Sequence, residues 1–213
     1  MRSSLFHKSL LILFFWILLS PWIMGQQKGY MPGQSTYSNA IFDSSFEKAL
    51  YKGSLDISKH HLSGLFYVKR VSLNSIRILF SNELGMNFFD FELKGDEFIV
   101  HSCFSSLERA SLLKLLENDF RLLLIPDTTV ITRMTRGRSR DPELVIFGVK
   151  SARGSFHYTY DKNSGKIRRI QTSRSIMGRT DLRVYGYERL QPTKIHISNP
   201  TIRLHIRMTF LSN

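Results

Sequence analysis

The most reactive side chains in this chain are one cysteine and a few histidines. Cys103 is the only cysteine and lies two positions after His101, so on a strand both side chains would share a face. Two ligands are too few for a zinc site, and we interpret the pair as a packed thiol beside a surface histidine. His60 and His61 are adjacent and would point to opposite faces of a strand. The sequence therefore predicts no metal site.

Motifs of the common enzyme classes are absent from the sequence. It contains no Gly-x-Ser-x-Gly, no Walker loop, no His-Glu-x-x-His and no Cys-x-x-Cys. A nucleophilic cysteine would need a neighbouring base or positive charge that lowers its pKa, and no motif supplies one. We therefore expect a protein that is not an enzyme and that carries no cofactor.

A cluster of four arginines is the second group of candidate functional residues. The cluster consists of Arg133, Arg136, Arg138 and Arg140, which follow a predicted strand in a polar loop that closes at Pro142. Such a loop is hard to bury because each guanidinium would need a partner. Two interpretations stay open, which are a solvated loop without a role and a surface that contacts phosphate head groups or an acidic protein partner.

The chain is strongly basic, with a net charge of +13 at pH 7. This charge fits nucleic acid in a cytosolic protein and anionic lipid or acidic partners in an exported one. Arg2 and Lys8 precede an apolar stretch of roughly ten residues, which is short for a membrane span of about 20 residues. We interpret residues 1–25 as a secretory signal cleaved after Gly25, with an uncleaved anchor as the alternative. Export argues against nucleic acid as a partner.

The chain after the predicted signal divides into a lead-in segment and one domain. Residues 26–39 are rich in glycine, serine and proline and predict a flexible segment. Residues 40–213 have the length and composition of a single globular domain. No cysteine near the predicted cleavage site could carry a lipid anchor, so we expect a soluble periplasmic protein.

Alternating apolar and polar residues predict antiparallel strands through most of this domain. The pattern holds at residues 65–71, 76–80 and 89–93, and it continues to the last strand at 202–210. Gly95 supplies the positive φ that a two-residue hairpin turn needs. We expect a meander of about ten strands, and an antiparallel sheet of that size curls instead of staying flat.

Two helices are expected to cover this sheet. Ser105 and Glu108 predict a capping box, after which an apolar helical face runs towards Pro126. Asp43 predicts the start of a short N-terminal helix that ends near Leu50. The fold class is therefore mainly antiparallel β (α+β), a curled open half-barrel covered by a central helix and a short N-terminal helix.

This pattern resembles the periplasmic lipoprotein carriers and outer-membrane receptors of the LolA/LolB type. The features that carry the resemblance are a helix with Phe46, the segments 62–68 and 76–80, Gly85, the strands 89–100 around a Lys-Gly-Asp turn, a central helix, the segment 158–161 with Gly165, Pro192 and a final alternating strand. The resemblance implies a half-barrel whose apolar cavity shelters lipoprotein acyl chains between membranes. Two features depart from it, because this chain has no cysteine for the lipid anchor of the receptors and its arginine cluster matches no motif of the family.

The resemblance implies a cavity lined by apolar residues of the sheet and the central helix. The expected lining residues are Phe66, Phe80, Phe89, Phe91, Phe98, Leu113, Leu116, Phe120 and Phe156. The alternative is that these residues simply fill a core. Two functions therefore stay open, a periplasmic carrier of lipid or lipoprotein acyl chains in outer-membrane trafficking, and an exported adaptor with a filled core that acts through its basic surface. A continuous apolar void would favour the carrier.

Overall fold

The structure is a computed structural model of the chain. It describes residues 37–38, 40–125, 131–151, 153–173 and 178–211. The predicted signal segment and almost all of the predicted lead-in lie outside the described residues, as does the predicted helix end at Pro126.

The described residues form fourteen strands, one α-helix and a short 3-10 turn. The strands before the helix are β1 (Lys48–Ile57), β2 (His60–Ser72), β3 (Ser75–Ser81), β4 (Asn87–Lys94) and β5 (Glu97–Cys103). The 3-10 turn (Ser105–Leu107) precedes helix α1 (Ala110–Leu124). The strands after it are β6 (Ile131–Gly137), β7 (Leu144–Ser151), β8 (Gly154–Asp161), β9 (Ile167–Thr172), β10 (Asp181–Val184), β11 (Tyr187–Glu188), β12 (Gln191–Pro192), β13 (Lys194–Asn199) and β14 (Leu204–Phe210).

Twelve of the described strands form a single antiparallel sheet in the order β5-β4-β3-β2-β1-β14-β13-β10-β9-β8-β7-β6, and β11 and β12 form a separate ribbon. The pairing of β1 with β14 joins two meanders into one sheet. The outer strands β5 and β6 follow each other in the chain, so the segment that contains α1 must cross the open side of the sheet to connect them. The predicted mainly antiparallel open half-barrel with a central helix is therefore confirmed, with twelve strands in place of about ten.

Aromatic side chains on neighbouring strands pack against one another beneath the helix. Phe66 of β2 lies opposite Phe80 of β3, and their rings stack with centroids 4.0 Å apart. Phe89 and Phe91 of β4 stack at 4.4 Å, and Phe120 of α1 closes over Phe89 at 5.7 Å. All five rings are fully buried, so this half of the sheet has a filled aromatic core under the helix.

A close approach of two strands explains why a glycine interrupts the apolar pattern of β2. A Cβ at Gly64 would overlap the carbonyl group of Ser81 on β3. Only glycine permits this close approach of the backbones of β2 and β3.

Helix α1 is held against the sheet by Arg121. Its Nη1 donates to the carbonyl of Gly95 at 2.7 Å, and its Nη2 donates to the carbonyls of Asp96 and Glu97 at 2.7 and 2.9 Å. Its Nε donates to Glu117 Oε1 at 2.9 Å on the preceding turn. Hydrogen bonds to charged groups contribute about 1.5–3 kcal/mol each, so this cluster fixes the C-terminal half of α1 under the β4–β5 turn.

The start of helix α1 differs from the prediction. The N-cap is Arg109, which makes no side-chain capping hydrogen bond. The predicted capping box at Ser105 and Glu108 is therefore wrong. The amide of Glu108 instead donates to the carbonyl of Ser105 at 3.3 Å, which belongs to the 3-10 turn before the helix.

The predicted short N-terminal helix is also wrong. The side chain of Asp43 accepts hydrogen bonds from the amide and the hydroxyl of Ser45 at 2.9 and 2.7 Å, which builds a turn that competes with a helix. The chain then enters β1 at Lys48, where Ala49, Tyr51 and Leu55 face the core. None of the helices in the described parts of the chain is long and apolar enough to cross a membrane.

Candidate ligand cleft

A cleft of about 640 Å³ lies between α1 and strands β8 and β9. The helix contributes Leu115, Leu122 and Leu123 to its wall, and the sheet contributes Phe156, Tyr158, Ile167 and Ile170. Ile41 from the segment before β1 also lines the cleft. These apolar residues make up about half of the lining, so the cleft suits an amphiphilic guest whose hydrocarbon part packs against them.

Polar side chains, about half of them charged, line the remainder of the cleft. Arg153 of the β7–β8 turn lies 3.6 Å from Asp96 of the β4–β5 turn, so turns from the two halves of the sheet meet beside the helix. The side chain of Asp96 is fully exposed, and an ion pair of this kind contributes little to stability. Lys114 and Arg121 of α1 both contact Glu117 at 2.9 Å.

One of the nine predicted lining residues, Phe156, lines this cleft. The other eight do not line it and belong to the core around the aromatic half of the sheet or pack against it: Phe66, Phe80, Phe89, Phe91, Phe98, Leu113, Leu116 and Phe120. Six of these eight are fully buried, and Phe98 and Leu113 are partly buried. Their contribution to ligand binding stays a prediction, and the cleft lies beside them.

The sequence pattern missed the cleft because α1 has two apolar flanks. Leu112, Leu116 and Phe120 are buried on one flank, and Phe120 faces the aromatic core. Leu115 and Leu122, spaced seven residues apart on the other flank, line the cleft. The spacing of Leu115 and Leu122 was visible in the sequence. Which flank of the helix packs against the aromatic core, however, depends on how the sheet folds around the helix.

A buried carboxyl group lies on the cleft side of the helix between these two leucines. Asp119 is only 1% exposed and lines the cleft together with Thr180. Thr180 Oγ1 donates a hydrogen bond of 2.8 Å to Asp119 Oδ1, whereas Asp119 Oδ2 has no partner among the described residues. Burial raises the pKa of Asp119 to about 7, and the hydrogen bond from Thr180 opposes this change.

The arginine cluster lies partly on a strand. Arg133 and Arg136 belong to the edge strand β6, so the prediction that they lie in a loop is wrong, and Arg138 and Arg140 follow in the loop after it. All four side chains are exposed, and none forms an ion pair within the described residues. Because an edge strand offers unpaired backbone groups, this margin of the sheet is both basic and accessible.

The cysteine and histidine candidates show no arrangement for catalysis. Burial raises the pKa of the Cys103 thiol to about 11, so it is protonated at neutral pH. His101 Nε2 lies 2.8 Å from Glu92 Oε2, and His61 contacts Asp56. No three histidine, cysteine or acidic residues in the described ranges come together to hold a metal ion.

We predict that replacing Asp119 with asparagine changes how stability depends on pH. Because burial raises the pKa of Asp119 from 3.8 to about 7, the folded protein keeps a proton that the unfolded chain loses above about pH 4. The free energy of unfolding should therefore fall as pH rises from about 4 to 7. Asp119→Asn removes this fall, so between about pH 4 and about pH 8 the wild type should lose about 4 kcal/mol of stability that the variant keeps.

Urea unfolding of the wild type and the variant at several pH values measures this difference. Asparagine keeps the shape of the side chain and its acceptor for Thr180, so packing is held constant. Equal pH profiles for the two proteins would contradict the burial of this carboxyl group.

Comparison with known proteins connects this architecture to solved structures. No family model matches the sequence, and no curated protein matches it. A LolA superfamily protein from Nitrosomonas europaea superposes with a TM-score of 0.59 at 10% identity, covering 86% of this chain and 93% of that one. A domain from Vibrio parahaemolyticus that is named for outer membrane lipoprotein sorting superposes with a TM-score of 0.52 at 8% identity, covering 80% and 86%. The chain therefore has a LolA/LolB-like fold.

Proposed function

We propose that this protein is a non-enzymatic carrier that binds the acyl chains of lipids or lipoproteins in the cleft between α1 and strands β8 and β9. The observation that carries the proposal is a cleft of about 640 Å³, lined on one side by apolar side chains of α1, β8 and β9, beside the aromatic core. Clefts that bind small ligands typically measure about 300–1,000 Å³ and have mainly apolar walls with a few polar groups.

The distribution of polarity supports an amphiphilic ligand. Leucine, isoleucine and aromatic side chains form about half of the lining, and polar and ionic side chains form the rest. An acyl chain buried against these walls would be removed from water, at about 0.8 kcal/mol for each CH₂ group. The polar end of the ligand would meet the charged side chains.

The sequence supports a place for this carrier in the periplasm. The basic start and short apolar stretch of residues 1–25 support export and cleavage after Gly25. The similar fold of a domain named for lipoprotein sorting supports a role in moving lipids or lipoproteins to the outer membrane.

We predict that filling the cleft blocks ligand binding. Leu122 lines the cleft and is partly exposed, so Leu122→Trp places a large ring in it at modest cost to folding. Titration with N-phenyl-1-naphthylamine, a neutral fluorescent probe, should show an affinity at least about tenfold lower than that of the wild type, a change of roughly 1.4 kcal/mol.

Leu113→Trp is the matched control for this experiment. Leu113 is also partly exposed and lies on the same helix, but it does not line the cleft. The affinity of the Leu113→Trp variant for the probe should stay within about twofold of the affinity of the wild type. If Leu113→Trp weakens binding and Leu122→Trp does not, the ligand lies on the aromatic side of the helix. If the wild type binds neither this neutral probe nor an uncharged acyl amide, the carrier function is wrong.

The exposed arginines favour a second candidate, an adaptor that acts through contact with anionic membrane. Arg136, Arg138 and Arg140 lie at the outer margin of the sheet. Basic residues near an anionic surface contribute about 1 kcal/mol each, and salt screens the attraction. This contact is compatible with a carrier that must approach a membrane to load or release its ligand.

We predict that the mature protein cosediments with liposomes that contain anionic lipid and does not cosediment with neutral ones. Replacing Arg136, Arg138 and Arg140 with serine should weaken this binding and leave stability unchanged, because exposed positions tolerate substitution. The control replaces Lys59, Lys69 and Lys94, which are exposed elsewhere, with serine and removes the same charge. Equal loss in both triple variants would show that net charge alone drives binding.

A further inference from the structure

The buried carboxyl group of Asp119 bears on which ligands the cleft accepts. We propose, on the basis of the carrier function above, that Asp119 binds the polar group of the ligand. The cleft then selects amphiphiles that carry a hydrogen-bond donor, such as an amide N–H, a hydroxyl or an ammonium group, over those that carry a carboxylate or phosphate.

The first argument is the unsatisfied oxygen. Asp119 Oδ1 is occupied by the hydroxyl of Thr180 at 2.8 Å, and Asp119 Oδ2 has no partner among the described residues. A buried polar atom without a partner costs about 1–3 kcal/mol or more. A donor on the ligand would supply the missing hydrogen bond and recover this cost on binding.

The second argument is the position of the carboxyl group in the cleft. Leu115 and Leu122 lie four residues before and three residues after Asp119 on the helix, and all three residues line the cleft. A polar group at Asp119 therefore sits within an apolar wall. This arrangement fits an amphiphile whose polar group is flanked by hydrocarbon.

The third argument is that the positive charges of the cleft are already paired. Among the described residues, the cations that line it are Lys114, Arg121 and Arg153. Lys114 and Arg121 pair with Glu117, and Arg121 also donates to three carbonyl groups of the β4–β5 turn. Arg153 pairs with Asp96. An anionic head group would have to share these cations with the carboxylates of Glu117 and Asp96 and would be repelled by them, whereas a donor finds a free acceptor at Asp119.

The fourth argument is that Thr180 is itself held in place. Its amide donates to Thr172 Oγ1 at 2.9 Å, and its carbonyl accepts from the amide of Thr172 at 3.0 Å. These hydrogen bonds fix the residue next to β10, so its hydroxyl presents a defined donor to Asp119. The carboxyl group is thereby oriented before a ligand arrives.

Binding of two amphiphiles with the same twelve-carbon chain tests the proposal. Lauramide carries amide donors, and laurate carries a carboxylate at about pH 8. Each would compete with N-phenyl-1-naphthylamine, a neutral fluorescent probe. The wild type should bind lauramide at least about tenfold more tightly than laurate. Asp119→Asn should reduce this preference to about twofold or less, mainly by improving the binding of laurate, because the charge that repels it is gone.

Two further variants complete the test. Asp119→Ala removes the whole carboxyl group and should also lose the preference, so the test does not depend on one substitution. Glu83→Gln removes one negative charge from the exposed β3–β4 turn and should keep the preference of the wild type.

The outcomes separate this inference from the carrier function. A wild type that binds both amphiphiles equally, or a preference that survives both Asp119 variants, would overturn the role of Asp119 and leave the carrier function standing. A wild type that binds neither amphiphile nor the probe would overturn the carrier function itself.

Discussion

The fold depends on the passage of helix α1 across the open side of the sheet. Strands β5 and β6 are consecutive in the chain but lie at opposite margins of twelve strands, so their connection must span the inner face. Arg121 fixes this span by donating to three carbonyl groups of the β4–β5 turn. Because the helix is held on the β4–β5 side, its position relative to β8 and β9 is set as well, and the cleft opens there.

This placement leaves the aromatic core on one side of the helix and the cleft on the other. Around Phe89 the aromatic rings are in contact at 4.4–6.2 Å and exclude water. Across the helix, the leucines that line the cleft face β8 and β9 over a volume of about 640 Å³. The buried core extends over both halves of the sheet, so the domain can stay folded around a cleft that is free for a ligand.

The sequence predicted the features that depend on local patterns. Alternation at Phe89 and Phe91 and the turn at Gly95 are local, and the strands and the hairpin formed as expected. The helix at Asp43 failed because the carboxylate makes an equally local turn with Ser45. Asp119 was not singled out, because an acidic residue on an amphipathic helix normally faces water, and only the pairing of distant segments brings Thr180 to it.

Native mass spectrometry of the protein purified from the envelope of its own host tests the central claim most directly. The account predicts a fraction of molecules with the added mass of a lipid or acylated ligand, released when the protein unfolds. The same preparation of Leu122→Trp should lack this added mass, and Leu113→Trp should retain it. A wild-type protein that carries no added mass, even when lipid is supplied in excess, would contradict the account and favour an adaptor with an empty, non-binding cleft.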